Sequence, residues 1–230
     1  MLVTVIVPAF NEARTIEQVL RRLAELELDC EILVVDDGSS DQTAEIVGGL
    51  EAEITGLRLI VHERNQGKGA AVRTGINASA GDFVMIQDAD LEYDPSDIAK
   101  LLAPLLSGAA DVVYGTRFRG GGAQRAHLFW HSVGNRFLTL LTNVLYNTTI
   151  SDMEVGYKAF DGNLIRSIKL VSNDFAFEPE VTAKVLRQKN VRLFEVAISY
   201  YGRTYDEGKK ITWRDGFGAV AALVRFRFGG

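Results

Sequence analysis

Asp88-Ala89-Asp90 follows directly on Asp82-Phe83-Val84-Met85-Ile86-Gln87, a run that is apolar in its centre and reads as a buried strand. Side chains alternate across a strand, so residues two apart project the same way. Both carboxylates can therefore converge on one point where the strand stops. Two hard oxygen ligands there suit Mg²⁺ or Mn²⁺ carrying a diphosphate. An isolated Asp-X-Asp reads instead as a polar turn closing a strand, and residues further along the chain reverse that balance.

Asp36-Asp37-Gly38-Ser39 also ends an apolar run, EILVV at 31–35. Asp36 or Asp37 can accept hydrogen bonds from base N–H groups or ribose hydroxyls. The same pair also suits a turn and helix cap, which Asp41 supplies as well. Gly67-Lys68-Gly69 opens a helical stretch and brings backbone N–H groups and one ammonium toward a phosphate. No Gly-x-Gly-x-x-Gly follows the first strand, and no Walker-type phosphate loop occurs. A nucleotide must then be held by side chains on the other loops.

The elements that position these groups alternate. Residues 2–7 (LVTVIV) form a continuous apolar, β-branched run, stopped by Pro8. Ile16, Val19, Leu20, Leu23 and Leu26 keep helical spacing over 12–26. Strand 31–35 precedes a helix from Asp41 to about Leu50, then strand 57–61, helix 69–79, strand 83–87, helix 98–106 and short strand 112–114. This order predicts an α/β fold, a doubly wound, mainly parallel sheet with helices on both faces. Ligands in such sheets lie beyond the strand C-terminal ends, where the loops at 8–12, 36–39 and 88–90 all fall.

The 230 residues suit one large domain, and a single Cys30 excludes a disulfide framework and fits a reducing compartment. His127 and His131 are four apart without an evident third ligand, so no zinc site is expected. The first strand starts almost at Met1, so no signal peptide is expected. No uncharged stretch reaches the roughly 18–20 residues of a spanning helix. The net charge of −5 hides an asymmetry: residues 1–100 carry 8 Lys/Arg against 19 Asp/Glu, and 101–230 carry 17 against 11. The basic half is suited to phosphates, to an anionic membrane surface, or to both; uneven surface charge is the plainer alternative.

Past Gly115 the pattern changes. Residues 125–147 carry Phe129, Trp130, Val133, Phe137, Leu138, Leu140, Leu141, Val144 and Leu145, and 213–228 place Trp213, Phe217, Leu223 and Phe226 beside Arg214, Arg225 and Arg227. Each segment reads as a core helix or as an amphipathic helix at a membrane interface, and the presence of two favours peripheral membrane association.

Pro8-Ala9-Phe10-Asn11-Glu12, Val35-Asp36-Asp37-Gly38-Ser39-Ser40-Asp41, Asn65-Gln66-Gly67-Lys68-Gly69 and Gln87-Asp88-Ala89-Asp90 together resemble the family 2 glycosyltransferases of GT-A fold. Gly115-Thr116-Arg117-Phe118, Ser132-Val133-Gly134-Asn135 and Asp152-Met153-Glu154-Val155-Gly156-Tyr157-Lys158 narrow the likeness to the dolichyl-phosphate mannose synthase and polyprenyl-phosphate glycosyltransferase branch. The likeness spans nearly the whole chain. It implies one GT-A domain over 1–230, with a nucleotide-sugar half at 1–116 and an acceptor-binding and membrane-interface half at 117–230.

The resemblance implies that Pro8, Ala9, Phe10, Glu12, Val35 and Asp37 line the nucleoside pocket and that Asp88 and Asp90 hold the metal, Asp90 with a catalytic role. Lys68 joins the nucleotide side. Glu92 stands where that branch often has Gln, as a further metal ligand. Arg117 faces the phosphates between donor and acceptor, and Arg203 and Lys209 resemble a pair closing on the diphosphate. Ser132 contacts the acceptor phosphate, with Arg125 the nearest arginine upstream. Asp152 orients groups near the acceptor or assists, or caps a helix before Gly156.

The implied enzyme is inverting and metal-dependent, moving a mannose- or glucose-type hexose from GDP-mannose or a UDP-hexose to polyprenyl (dolichyl) phosphate at the cytoplasmic face of a membrane, with no nucleic acid involved. A soluble acceptor, or a non-catalytic nucleotide-sugar binder, are the rival readings. Attack at the anomeric carbon expels a nucleoside diphosphate, whose developing charge needs a cation and basic clamps. A phosphate monoester with second pKa near ~6 is largely dianionic at neutral pH and hardly needs a general base.

Overall fold

A computed structural model describes residues 1–120, 129–203 and 215–229. The continuous apolar runs form parallel strands β1 (Val3–Ala9), β2 (Cys30–Asp36), β3 (Leu57–Val61) and β4 (Phe83–Ile86), in spatial order β3-β2-β1-β4. Val5, Ile6, Val7, Leu33, Val34 and Val84 are completely buried, as strands covered on both faces require. Each such side chain contributes about 1.5–3 kcal/mol of burial energy.

Between these strands lie α1 (Ile16–Ala24), α2 (Thr43–Leu50) and α3 (Lys68–Ala78). The chain steps one way from β1 to β3, then returns past β1 to β4. Right-handed crossovers therefore put α1 and α2 on one face and α3 on the other, where it packs on β1 and β2. At that reversal, loops leaving the C-terminal ends of β1 and β4 diverge and open a crevice. The loops carrying Glu12 and Asp88-Ala89-Asp90 are those two loops.

The sheet continues β4-β6-β5-β7, with β5 (Val112–Thr116), β6 (Lys158–Asp161) and β7 (Leu193–Ala197). β6 runs antiparallel to both β4 and β5, while β7 is parallel to β5, so the expected sheet is mostly but not wholly parallel. Helix α4 (Ile98–Leu106) packs on β5 and β6. Helix α1 starts at Ile16 rather than Glu12. Asn11 takes φ +53, and the Glu12 N–H donates to Thr43 Oγ1 at 2.9 Å, so this stretch turns before it coils.

Helices α5 (Phe129–Tyr146), α6 (Gly162–Ser167), α7 (Phe177–Leu186) and α8 (Asp215–Phe228) complete the chain. The two amphipathic segments meet each other: Leu138, Ile150, Met153, Ala219 and Leu223 form a second buried cluster between α5 and α8. Their other faces are bare, with Trp130 78% and Val144 72% exposed on α5 and Phe228 76% exposed on α8. No described helix is long and apolar enough to cross a membrane.

Candidate active site

A cavity of about 840 Å³ lies beyond the C-terminal ends of β1, β2 and β4 and extends to the start of α5. Pro8, Ala9, Phe10 and Glu12 line it from the β1 loop, and Asp37 from the β2 loop. Asp88, Asp90 and Glu92 enter from the β4 loop, and Arg117, Ser132 and Arg203 from the second half. Sequence positions far apart are thus brought to one chamber. Val35 is not among the lining residues; it is wholly buried in β2. Lys209, Arg125, His127, Trp213 and Arg214 lie outside the described residues.

Backbone contacts fix the acidic loop. Thr15, just before α1, donates its hydroxyl to the Ala89 carbonyl at 2.7 Å, and Asp90 Oδ1 accepts from the Glu92 N–H at 3.1 Å. Lys68 extends from the start of α3, with Nζ 2.9 Å from Asp88 Oδ1 and 3.0 Å from Glu178 Oε1. Burial alone would push the Lys68 ammonium down, but Asp88 and Glu178 outweigh it and hold it well above the usual lysine range. The lysine is therefore a fixed cation between two carboxylates. Its aim depends on Gly67, which caps α3 at φ +102, a backbone region that costs glycine little.

Asp37 organises the same helix start. Its carboxylate accepts from the Gln66 and Gly67 N–H groups and pairs with His62 Nδ1 at 2.7 Å. Asp36 is turned to Ser39, accepting from its N–H and hydroxyl, and does not line the cavity.

Arg203 occupies the acidic cup opposite. Its guanidinium lies 3.0 Å from Glu12 Oε2 and 3.5 Å from Asp90 Oδ2, and its Nε donates to the Asp90 carbonyl at 3.1 Å. Glu92 ties this segment down, accepting from the Arg203 N–H at 2.8 Å and the Tyr200 hydroxyl at 2.6 Å. Both Glu92 oxygens are thus engaged, one by Tyr200 and one by Arg203. Among the described residues, no three His, Cys, Asp or Glu side chains gather as a closed metal cage.

Arg117, at the end of β5, forms a two-pronged pair with Asp152, Nε to Oδ2 and Nη2 to Oδ1 both at 2.7 Å. Asn135 of α5 donates to the same Oδ1 at 2.8 Å. Asp152 is fully buried. Burial would raise its carboxyl, yet the Arg117 guanidinium, aided by Asn135, holds it below the usual aspartate range. No helix begins at Asp152, so the capping alternative is not what the chain adopts. Its visible work is to hold Arg117, whose guanidinium carbon sits 4.9 Å over the Tyr200 ring.

Three features escaped sequence reading. Glu178, on the first turn of the nearly all-buried α7, and Glu154 both line the cavity. Burial pushes the Glu154 carboxyl up to about 7, with Glu178 adding to the rise. Lys158 lies beneath them, donating to the carbonyls of Met153 and Val155, and burial lowers its ammonium to about 8. The available signal was two glutamates, Glu178 and Glu180, in an otherwise apolar stretch.

A sheet whose reversal point carries an aspartate pair, with cations on both sides of it and a basic second half closing the cavity, defines a nucleotide-dependent group transferase. The chain belongs to glycosyl transferase family 2, whose family model matches residues 4–166. It is a glycosyltransferase that takes its sugar from a nucleotide sugar. It is 27% identical to a UDP-N-acetylglucosamine–dolichyl-phosphate N-acetylglucosaminyltransferase of Methanococcus voltae, over 99% of this chain and 97% of the relative. It is also 27% identical to an undecaprenyl-phosphate 4-deoxy-4-formamido-L-arabinose transferase of Proteus mirabilis, over 90% of this chain and 62% of that protein. In fold it matches glucosyl-3-phosphoglycerate synthase of Mycobacterium tuberculosis, solved with Mn²⁺, UDP-glucose and phosphoglyceric acid, at TM-score 0.75 and 21% identity, over 98% of this chain and 79% of that one.

Proposed function

We propose that this enzyme transfers a hexose or an N-acetylhexosamine from a nucleoside diphosphate sugar to a polyprenyl phosphate at a membrane surface, with inversion at the anomeric carbon. One observation carries the reading: a single cavity joins the aspartate pair to the bare apolar face of α5. Trp130 belongs to both, lining the cavity while 78% exposed. A phosphate carried on a lipid can enter from that rim while its chain stays at the apolar face. The similarity to the dolichyl-phosphate enzyme of Methanococcus voltae points the same way.

Asp88 and Asp90 fit Mg²⁺ or Mn²⁺. They are hard carboxylate donors beside an open cavity, and Lys68 and Arg203 already compensate their charge. When bound there, the cation neutralises charge developing on the departing diphosphate. Pro8, Phe10 and Asp37 border the nucleoside, with Asp37 shaping the loop before Lys68. Arg117 holds donor and acceptor phosphates together, and Asp152 keeps its fork in place. Ser132, at the start of α5, meets the acceptor phosphate. An oxygen of that phosphate attacks the anomeric carbon; the bond from that carbon to the diphosphate oxygen breaks, and the nucleoside diphosphate leaves with the electron pair. The nucleophile is already anionic, so no side chain must take a proton. Without a spanning helix among the described residues, contact with the membrane would come from the outer faces of α5 and α8, on the cytoplasmic side.

The test is transfer into lipid. Purified protein with Mn²⁺ and vesicles containing dolichyl phosphate is offered UDP-N-acetylglucosamine, UDP-glucose and GDP-mannose. The expected result is a lipid-linked sugar from at least one donor. Turnover onto water-soluble acceptors alone, with no lipid product from any donor, overturns the reading.

A further inference from the structure

Glu154 Oε1 and Glu178 Oε2 are buried side-chain oxygens without a hydrogen-bond partner among the described residues. Buried acceptors are nearly always met by donors, so two orphaned oxygens in one cavity wall mark a place where donors arrive with a ligand. Glu178 is only 5% exposed, and both residues line the chamber. Their location is specific. The ammonium of Lys68 that meets Glu178 at 3.0 Å also meets Asp88 at 2.9 Å, so the orphaned pair lies one lysine away from the aspartate edge. Gly156 keeps the approach open, because a Cβ there would stand 2.4 Å from Asp88 Oδ2 and 3.1 Å from the Tyr93 ring. Lys158 offsets part of the negative charge from below but does not line the cavity.

Resting on the nucleotide-sugar reading above and extending it to the sugar, we propose that Glu154 and Glu178 form the subsite for the donor's hexose ring and select against acidic sugars. An ionised carboxylate can only accept. Its natural complements are sugar hydroxyls, or the N–H of an acetamido group. A sugar that carries its own carboxylate has an acceptor in place of one hydroxyl donor and sets like charge against like in a poorly solvated pocket, so it is rejected. A pocket whose polar groups must be met by substrate O–H or N–H also rejects ligands that leave them unmet.

Calorimetric titration with Mn²⁺ tests this. Bare UDP and GDP come first, and whichever binds sets the series: UDP-glucose against UDP-glucuronic acid, or GDP-mannose against GDP-mannuronic acid. The wild-type protein is expected to bind the neutral sugar nucleotide about tenfold or more tightly than the acidic one. Glu154→Gln, nearly equal in shape, should narrow that ratio severalfold while changing bare-nucleotide affinity by less than about twofold, and Glu178→Gln should act in the same direction. Equal affinity of the wild type for neutral and acidic sugars overturns the proposal even if no variant folds. An unchanged ratio in both folded variants overturns it too. If neither bare nucleotide binds, the failure lies with the nucleotide-sugar reading itself, and the subsite falls with it.

Discussion

Asp90→Ala is expected to lower kcat by at least about a hundredfold while leaving the unfolding midpoint of the metal-free protein unchanged or slightly raised. The first half follows if the cation carries the charge of the leaving diphosphate, because losing one stabilising group at a developing charge costs about 2.7 kcal/mol or more of barrier. The second half follows from what surrounds Asp90. It is one of several carboxylates, Glu12, Asp88 and Glu92 among them, that line the cavity. Its contact with Arg203 is long, 3.5 Å, and the guanidinium has a closer partner in Glu12. Removing one acid relieves repulsion and leaves Arg203 paired, which offsets the lost hydrogen bond from the Glu92 N–H, so stability shifts by no more than about 1 kcal/mol. The rise in midpoint that Mn²⁺ with nucleotide gives the wild type should disappear in the variant. Steady-state kinetics and thermal unfolding separate this from a structural role, since a structural aspartate would lower the midpoint of the metal-free protein.

Arg117→Ala has the larger expected effect on folding. It strips a fully buried Asp152 of its two-pronged partner and leaves, among the described residues, only Asn135 and the residue-117 backbone N–H as donors. Breaking one side of a buried pair costs about 3–5 kcal/mol. For a chain of this size that corresponds to a fall in Tm of about 10 °C. Adding Asp152→Asn removes the orphaned charge and should recover most of the lost stability without recovering turnover, because the Arg117 guanidinium no longer faces the phosphates. The pH dependence has a definite sign. The folded Asp152 carboxyl sits below its usual range, so the stability from this pair is complete above the unfolded aspartate pKa near ~4 and is lost as pH falls through the folded value. The stability gap between wild type and Arg117→Ala should therefore close in acid. A double variant as active as wild type would show that Arg117 only supports the fold.

Much of the first half of the chain was legible because its signals are local. Apolar runs at 2–7, 31–35 and 83–87 became β1, β2 and β4 within a residue or two, and β-α-β order with right-handed crossovers fixed where their loops point. Asp88, Asp90, Asp37 and Lys68 fall next to those strand or helix ends, so short motifs suffice to find them. The second half resisted for physical reasons. β6 is four residues long and contains a buried lysine, Lys158, which no period-two pattern announces. β7 is interrupted by Glu195, whose carboxylate is used by Ser151. The first turn of α7 reads Phe-Glu-Pro-Glu, a loop-like stretch that tertiary packing buries entirely. Site contacts that span the chain, such as Arg203 with Glu12 or Lys68 with Glu178, depend on how the finished sheet brings its ends together. Resemblance named Arg203, whereas for Glu178 the sequence offered only a pair of glutamates in an apolar stretch, and nothing local marked Glu154.

The account turns on where the cation sits. Crystals grown with Mn²⁺ and the nucleoside diphosphate that binds, measured at the manganese absorption edge, locate it directly. The expected result is one anomalous peak bridging the carboxylates of Asp88 and Asp90 and an oxygen of the diphosphate, with Arg203 moved from the acidic cup onto the phosphates. Nucleotide bound with no peak between those two aspartates, or with the metal held by other residues, would contradict it.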